Sequence, residues 1–202
     1  MKQHKSHFIS FEGIEGAGKS SAISACLEFL KNAGVEAIKT REPGGTLMAD
    51  KVRSIFADVE HPMSANTELL LLFASRQDHI DQVIRPALNV GKWVLTDRFV
   101  DATYAYQGGG RGVDTKIIKQ LDNLVCGDTQ PDCVFILDIP ESLMAARLLG
   151  RGGELDRIES ERVDFFQRVR SIYLNRAKDE PQRYFVIDAT RSLDEVQRVI
   201  CQ

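Results

Sequence analysis

Apolar positions along the chain change their period several times, and each change marks an element. The run His7 to Phe11 has the β-branched and aromatic character of a short strand. After it Ala22, Cys26, Phe29, Leu30 and Ala33 recur at helical spacing and predict an apolar stripe on a helix that Gly34 stops. VEAIKT at 35–40 reads as a second strand, broken by REPGGT at 41–46, where Pro43, Gly44 and Gly45 enforce a turn. A short helix over 46–57 follows. From 65 to 89 a long helical period runs through Leu69, Leu72, Phe73, Ile80, Val83, Ile84, Ala87 and Leu88 until Gly91 ends it. WVLT at 93–96 is a third strand, closed by Asp97 and Arg98, and the polar, glycine-rich stretch up to GGGRG at 108–112 reads as a surface loop. Then come a helix over 114–126, a buried strand CVFIL at 133–137 ending in Asp138, and a helix from about 140 to Gly150. A basic loop to Arg157, a long helix to about 179, the strand RYFVID and a terminal helix complete the pattern.

Short strands rich in Val, Ile and Phe that alternate with helices predict a parallel sheet of about five strands covered on both faces, a three-layer α/β fold. Neither an internal repeat nor a low-complexity linker interrupts the alternation, and 202 residues with 43% hydrophobic content suit one domain over 1–202. A net charge of −3 provides no global basic field for nucleic acid or an anionic membrane. The start MKQHKSH has no apolar stretch of the signal-peptide kind, and no apolar run reaches a membrane span, so the expected compartment is the cytoplasm. Cys26, Cys126, Cys133 and Cys201 form no C-x-x-C pair and read as buried reduced thiols. His4, His7, His61 and His79 are too scattered for a His-rich metal site.

Between the first strand and the first helix lies FEGIEGAGKS, in which Gly13, four residues, then Gly18, Lys19 and Ser20 make a phosphate-binding P-loop. Glycines let successive backbone N–H groups curl toward phosphate oxygens at a helix N-terminus, Lys19 adds a cation and Ser20 a hydroxyl for Mg²⁺. A GTP switch is excluded by the absence of N-K-x-D and D-x-x-G, and an assembly ATPase is disfavoured because the third strand ends Asp97-Arg98 where adjacent carboxylates would be expected. An arginine there suits a second anion better than an activated water. Arg41, Arg76, Arg98, Arg147, Arg151 and Arg157 fall in turns or near strand ends, as a site that neutralises two phosphates requires. Arg168, Arg170, Arg183 and Arg198 read instead as a solvated face with surface ion pairs.

Six ordered segments, FEGIEGAGKS, TREPGGT, LLFASRQDH, TDRF, AYQGGGRG and RGGELDRIE, together resemble the thymidylate kinase family over most of the chain. The resemblance implies a P-loop nucleoside monophosphate kinase fold with a short lid at about 147–159. It implies transfer from ATP to dTMP, giving dTDP and ADP for dTTP synthesis, with Mg²⁺ as cofactor. Carried onto this chain, Gly13, Ile14, Glu15, Gly16, Ala17, Gly18, Lys19 and Ser20 would hold the ATP phosphates, with Ser20 and Asp97 near the metal. Glu15 would face the acceptor sugar, Arg41 and Pro43 would cover the acceptor phosphate, and Arg98 would clamp it. Arg76 would point at the thymine carbonyl, with Thr103 and Gln107 on the base edge or deoxyribose. The family commonly places an aromatic residue four positions before the helix arginine, where this chain has Leu72 and then Phe73; either side chain fits the base contact. No arginine lies inside the P-loop, so the family's lid-arginine subtype is implied, with Arg151 supplying transition-state charge and Arg157 sharing the task. The run Leu69 to Leu72 wraps more of its helix than one core face needs, and with the family's habit it implies a homodimer. The alternatives are another nucleoside monophosphate or deoxynucleoside kinase and, from a different class, a non-catalytic ATP-binding module.

Overall fold

The structure, a computed structural model, describes residues 5–58, 60, 62–151 and 156–201, with Arg151 described only through its backbone. Its β-branched and aromatic runs form five strands: β1 Phe8–Glu12, β2 Ala37–Arg41, β3 Trp93–Asp97, β4 Cys133–Asp138 and β5 Tyr184–Asp188. All pair in parallel in the order β2-β3-β1-β4-β5. The first strand is therefore central, and the crevice beside its carboxyl end is where an open α/β sheet binds ligands.

The helices are α1 Lys19–Asn32, α2 Leu47–Ala57, α3 Ala65–His79, α4 Arg85–Asn89, α5 Val100–Thr103, α6 Thr115–Val125, α7 Glu141–Arg151, α8 Val163–Asp179 and α9 Leu193–Ile200. They cover both faces of the sheet: α1 packs on β1, β2, β3 and α9, while α8 packs on β4 and β5. Thr46, Ser64 and Ser192 cap α2, α3 and α9 through their side-chain oxygens. The 65–89 pattern is one helical path from α3 to α4, joined by a π-helical turn at Ile80–Ile84. Within α1, Ala22, Ile23, Cys26 and Leu30 are buried, but Phe29 is 49% exposed, and Ala33, just past the helix end, is exposed too, so the buried stripe is narrower than the spacing implies.

GGGRG is not the surface loop its composition suggests. A π-helical segment over Tyr104–Gly110 continues α5 and packs on α8. The glycines are there for close approach: a Cβ on Gly110 would lie 2.4 Å from the Phe165 ring, and one on Gly109 2.5 Å from Ile172. Arg168 donates to the carbonyls of Gly109 and Gly110, closing the end of that segment. Arg170 likewise leaves the expected solvated face and grips the strand-end Asp138 with two hydrogen bonds of 2.6 and 2.9 Å. Cys26 and Cys126 are buried and Cys133 and Cys201 partly so, all four free; burial pushes the Cys26 thiol up to about 11.

Candidate active site

The P-loop turns from β1 into the 14-residue helix α1 through Gly13, Gly16 and Gly18, with φ of 128°, 69° and 93°. At Gly13 a Cβ would also meet the Leu137 carbonyl oxygen at 2.4 Å, so glycine is required twice over. Ile14 and Ala17 are buried beneath the loop, and the Arg147 guanidinium donates to Gly16 O at 2.8 Å. Lys19 is buried, its ammonium donating to the carbonyls of Gly13 and Ile14 at 3.0 Å each. Burial, reinforced by the nearby Arg98 charge, brings its pKa down to about 8. An anion over the loop would relieve that penalty.

Ser20 Oγ lies 3.4 Å from Asp97 Oδ2, and Asp97 Oδ1 is buried without a partner among the described residues. The two residues thus present hard oxygen donors at the first turn of α1. That set suits Mg²⁺ completed by phosphate oxygens and water, and among the described residues no larger His, Cys, Asp and Glu cluster competes for a metal.

Beside the P-loop opens a cavity of about 140 Å³. Glu15 and Arg98 line it together, with Arg98 Nη2 2.6 Å from Glu15 Oε1. The Tyr106 hydroxyl donates to Glu15 and accepts from Arg98. Burial opposes the Arg98 charge, but Tyr106, Glu15 and Asp97 outweigh it and hold its pKa well above the usual arginine value. Arg98 is the one non-glycine residue with positive φ, 69°, among the described residues. Its strained backbone is pinned: its N–H donates to Phe11 O, its carbonyl accepts from Thr96 Oγ1, and the next N–H, of Phe99, donates to Glu12 at 2.7 Å. Glu12 is fully buried and also accepts from Tyr173; burial first, and Asp101 second, raise its pKa to about 8.

Arg76, which also lines the cavity, is 2% exposed. It donates to Glu42 at 2.7 Å, to Phe99 O and to Thr103 Oγ1, which leaves Nη1 without a partner among the described residues. Burial works against this charge, and Glu42, Cys126 and Asp122 together more than restore it. Gln107 and Thr103 line the same cavity.

The structure brings Glu15, Pro43, Leu72, Arg76, Arg98, Thr103 and Gln107 to one cavity. It separates three other residues from it. Phe73 points into the core, 2% exposed, with the Arg76 guanidinium 5.0 Å above its ring, so Leu72 alone of that pair reaches the cavity. A one-residue step around a helix turns a side chain by roughly 100°, which accounts for the separation. Arg41 lies outside, exposed and paired with Asp50 at 3.3 Å. Arg157 is not at the P-loop: it donates to Glu68 at 2.6 Å and to the carbonyl of Phe56, a residue that lines the cavity. Residues 152–155 of the expected lid, and the Arg151 side chain, lie outside the described residues.

The sequence reading missed Arg53, Phe56, Phe99 and Tyr106, which also line the cavity. Arg53 donates to Pro43 O, and its pKa is lowered by burial and by the neighbouring charges of Arg41 and Arg98. Repulsion of that kind marks a cluster of cations gathered for an anion. Arg53 sits in a helix whose period gave no hint of this; Tyr106 lay within a stretch read as loop.

A P-loop on a central parallel strand, with a second cation-lined cavity beside it, defines a nucleotide-binding phosphotransferase. Comparison with known proteins refines that class. The thymidylate kinase family model matches residues 11–200. The chain is 51% identical over 191 residues to the thymidylate kinase of Ectopseudomonas mendocina, covering 94% of this chain and 90% of that one. It is 50% identical over 194 residues to the thymidylate kinase of Pseudomonas putida strain W619, covering 96% and 93%. The crystal structure of thymidylate kinase from Ehrlichia chaffeensis superposes with a TM-score of 0.81 at 34% identity, covering 98% and 97% of the two chains. The chain belongs to the thymidylate kinase family.

Proposed function

We propose that the chain transfers the γ-phosphoryl group of ATP to dTMP, giving dTDP and ADP. The observation that carries this reading is the pairing of two anion sites: the P-loop with Lys19, and a cavity lined by the neighbouring charges of Arg98 and Arg53. Gly13 to Ser20 hold the ATP phosphates, and Arg98 and Arg53 grip the acceptor phosphate, where planar guanidiniums meet oxygens bidentately. Glu15 accepts from the acceptor sugar, and Leu72, Arg76, Thr103 and Gln107 receive the base. The acceptor is already an oxyanion, so alignment and charge neutralisation suffice without a general base.

Ser20 and Asp97 would hold Mg²⁺, which supplies further neutralisation of phosphate charge when bound. Arg151 we assign to the transition-state charge, on the family resemblance. Arg151→Ala is then expected to cut kcat far more than it raises KM for ATP, and unchanged turnover would remove the residue from that role. A homodimer in the cytoplasm completes the reading. In its support, α3 and α6 pack together and leave Leu70, Ile117 and Leu124 exposed. Light scattering that finds a monomer at micromolar concentration would overturn the dimer. No described helix is long and apolar enough to cross a membrane.

The reading is tested by ADP release from MgATP with dTMP, dUMP, dCMP, dGMP and thymidine offered in parallel. Selective turnover of dTMP is the expected result. Turnover of thymidine in its place would mean that Arg98 grips no acceptor phosphate, and acceptor-independent ADP release would sink the kinase reading.

A further inference from the structure

Glu68 lies one turn before Leu72 on α3, only 1% exposed, and does not line the cavity. Yet its carboxylate gathers three side chains from two other segments. Oε1 accepts from Arg157 Nη1 at 2.6 Å. Oε2 accepts from Gln107 Nε2 at 3.0 Å and from Arg111 Nε at 3.4 Å. A buried charge with this many partners is costly to assemble and is not needed to fill a core.

The Gln107 contact has a chemical consequence. A carboxylate shared with two guanidiniums can only accept, so the atom of Gln107 facing it must be the amide nitrogen. The carboxamide is thereby locked in one of its two orientations. Its other end, Oε1, is buried and has no partner among the described residues, although Gln107 lines the cavity. Arg76 Nη1, on the same cavity, is likewise unpartnered. Two residues that line the cavity therefore each keep one buried polar atom unpartnered among the described residues, an acceptor on Gln107 and a donor on Arg76, and buried groups of this kind favour a ligand that satisfies them.

We propose that Glu68 is a positioning residue for acceptor specificity: by holding the Gln107 amide nitrogen it presents the carboxamide oxygen as an acceptor toward the base. This rests on the acceptor reading above. A pyrimidine whose ring nitrogen carries a proton, thymine or uracil, satisfies that oxygen. Cytosine offers a ring-nitrogen lone pair in the same place and is rejected. Removing the lock lets the carboxamide turn over and donate to cytosine.

The experiment measures kcat/KM for dTMP and dUMP, and Ki for dCMP against dTMP, in the wild type and in Glu68→Gln. A neutral amide at 68 no longer dictates the orientation of Gln107, so the preference for dTMP over dCMP is expected to fall about tenfold, the discrimination typical of one hydrogen bond. The preference for dTMP over dUMP should stay within about twofold, because both bases carry the same ring N–H. A merely structural role would weaken all three nucleotides in proportion, and that result would overturn the proposal. Glu68→Gln also leaves Arg157 and Arg111 without their charge partner, so Glu68→Asp is the second variant. It keeps the charge but withdraws the carboxylate by one methylene from Gln107. The same loss of dTMP-over-dCMP preference is expected, and an unchanged ratio in a folded Glu68→Asp enzyme would overturn the proposal too. Failure of the wild type to use dTMP would strike the acceptor reading; normal dTMP turnover with insensitive ratios would strike Glu68 alone.

Discussion

Arg98 and Glu15 form a 2.6 Å ion pair across the junction of the P-loop and the cavity, with the Tyr106 hydroxyl bonded to both. The pair joins the two halves of the site, since Glu15 belongs to the P-loop and Arg98, the residue after β3, lines the cavity. On the proposed reading the guanidinium makes a charge-assisted contact to the acceptor phosphate, so Arg98→Ala should lower kcat/KM for dTMP by roughly 100- to 1,000-fold. Steady-state kinetics with dTMP varied at saturating MgATP checks this, and a loss under tenfold would count against the clamp.

The same residue separates function from stability. At φ 69° a side-chain-bearing residue is strained by about 1 kcal/mol that glycine does not incur. Arg98→Gly and Arg98→Ala should therefore lose activity to the same extent, while the glycine variant is more stable than the alanine variant by about that amount in urea unfolding.

Glycines 108 to 110 predict a graded series. A Cβ at Gly108 meets Ile118 at 3.3 Å, a contact a side-chain end can relieve. At Gly109 and Gly110 the Cβ would lie 2.5 Å from Ile172 and 2.4 Å from Phe165. Overpacking of this kind costs about 1–3 kcal/mol, so Gly109→Ala and Gly110→Ala should melt well below Gly108→Ala in thermal unfolding.

Glu12 predicts a pH dependence. Its folded pKa, about 8, stands above the ordinary 4.5, so between these values the folded state holds a proton that the unfolded state has released. Stability should therefore fall as pH rises through that window. Glu12→Gln keeps an acceptor for the Phe99 N–H and abolishes the titration, so its stability should vary less over the same range. Parallel denaturation curves at pH 5 and pH 8 test this, and equal pH slopes in both proteins would contradict it.

Much of this molecule is legible in its sequence because its signals are local. Strand and helix periods and the glycines of the P-loop act within a few residues and survive any tertiary context. The expectations that failed depend on contacts made at a distance. Gly109 and Gly110 read as loop because their composition is that of loops, whereas α8, some 55 residues on, demands their missing side chains. Phe73 and Leu72 are indistinguishable by type, and only the packing of α3 decides which faces the cavity. Arg41 and Arg53 differ in the same way: the arginine that ends β2 pairs with Asp50 at the surface, while the one in α2 lines the cavity. Glu68 carries no motif of its own, since its meaning lies in Gln107, Arg111 and Arg157.

The most direct test of the account is to incubate the protein with MgATP and dTMP and follow every nucleotide by ³¹P NMR. The account predicts that dTDP and ADP appear together in equal amounts, with no inorganic phosphate. Formation of ADP and inorganic phosphate with dTMP left unchanged would contradict it.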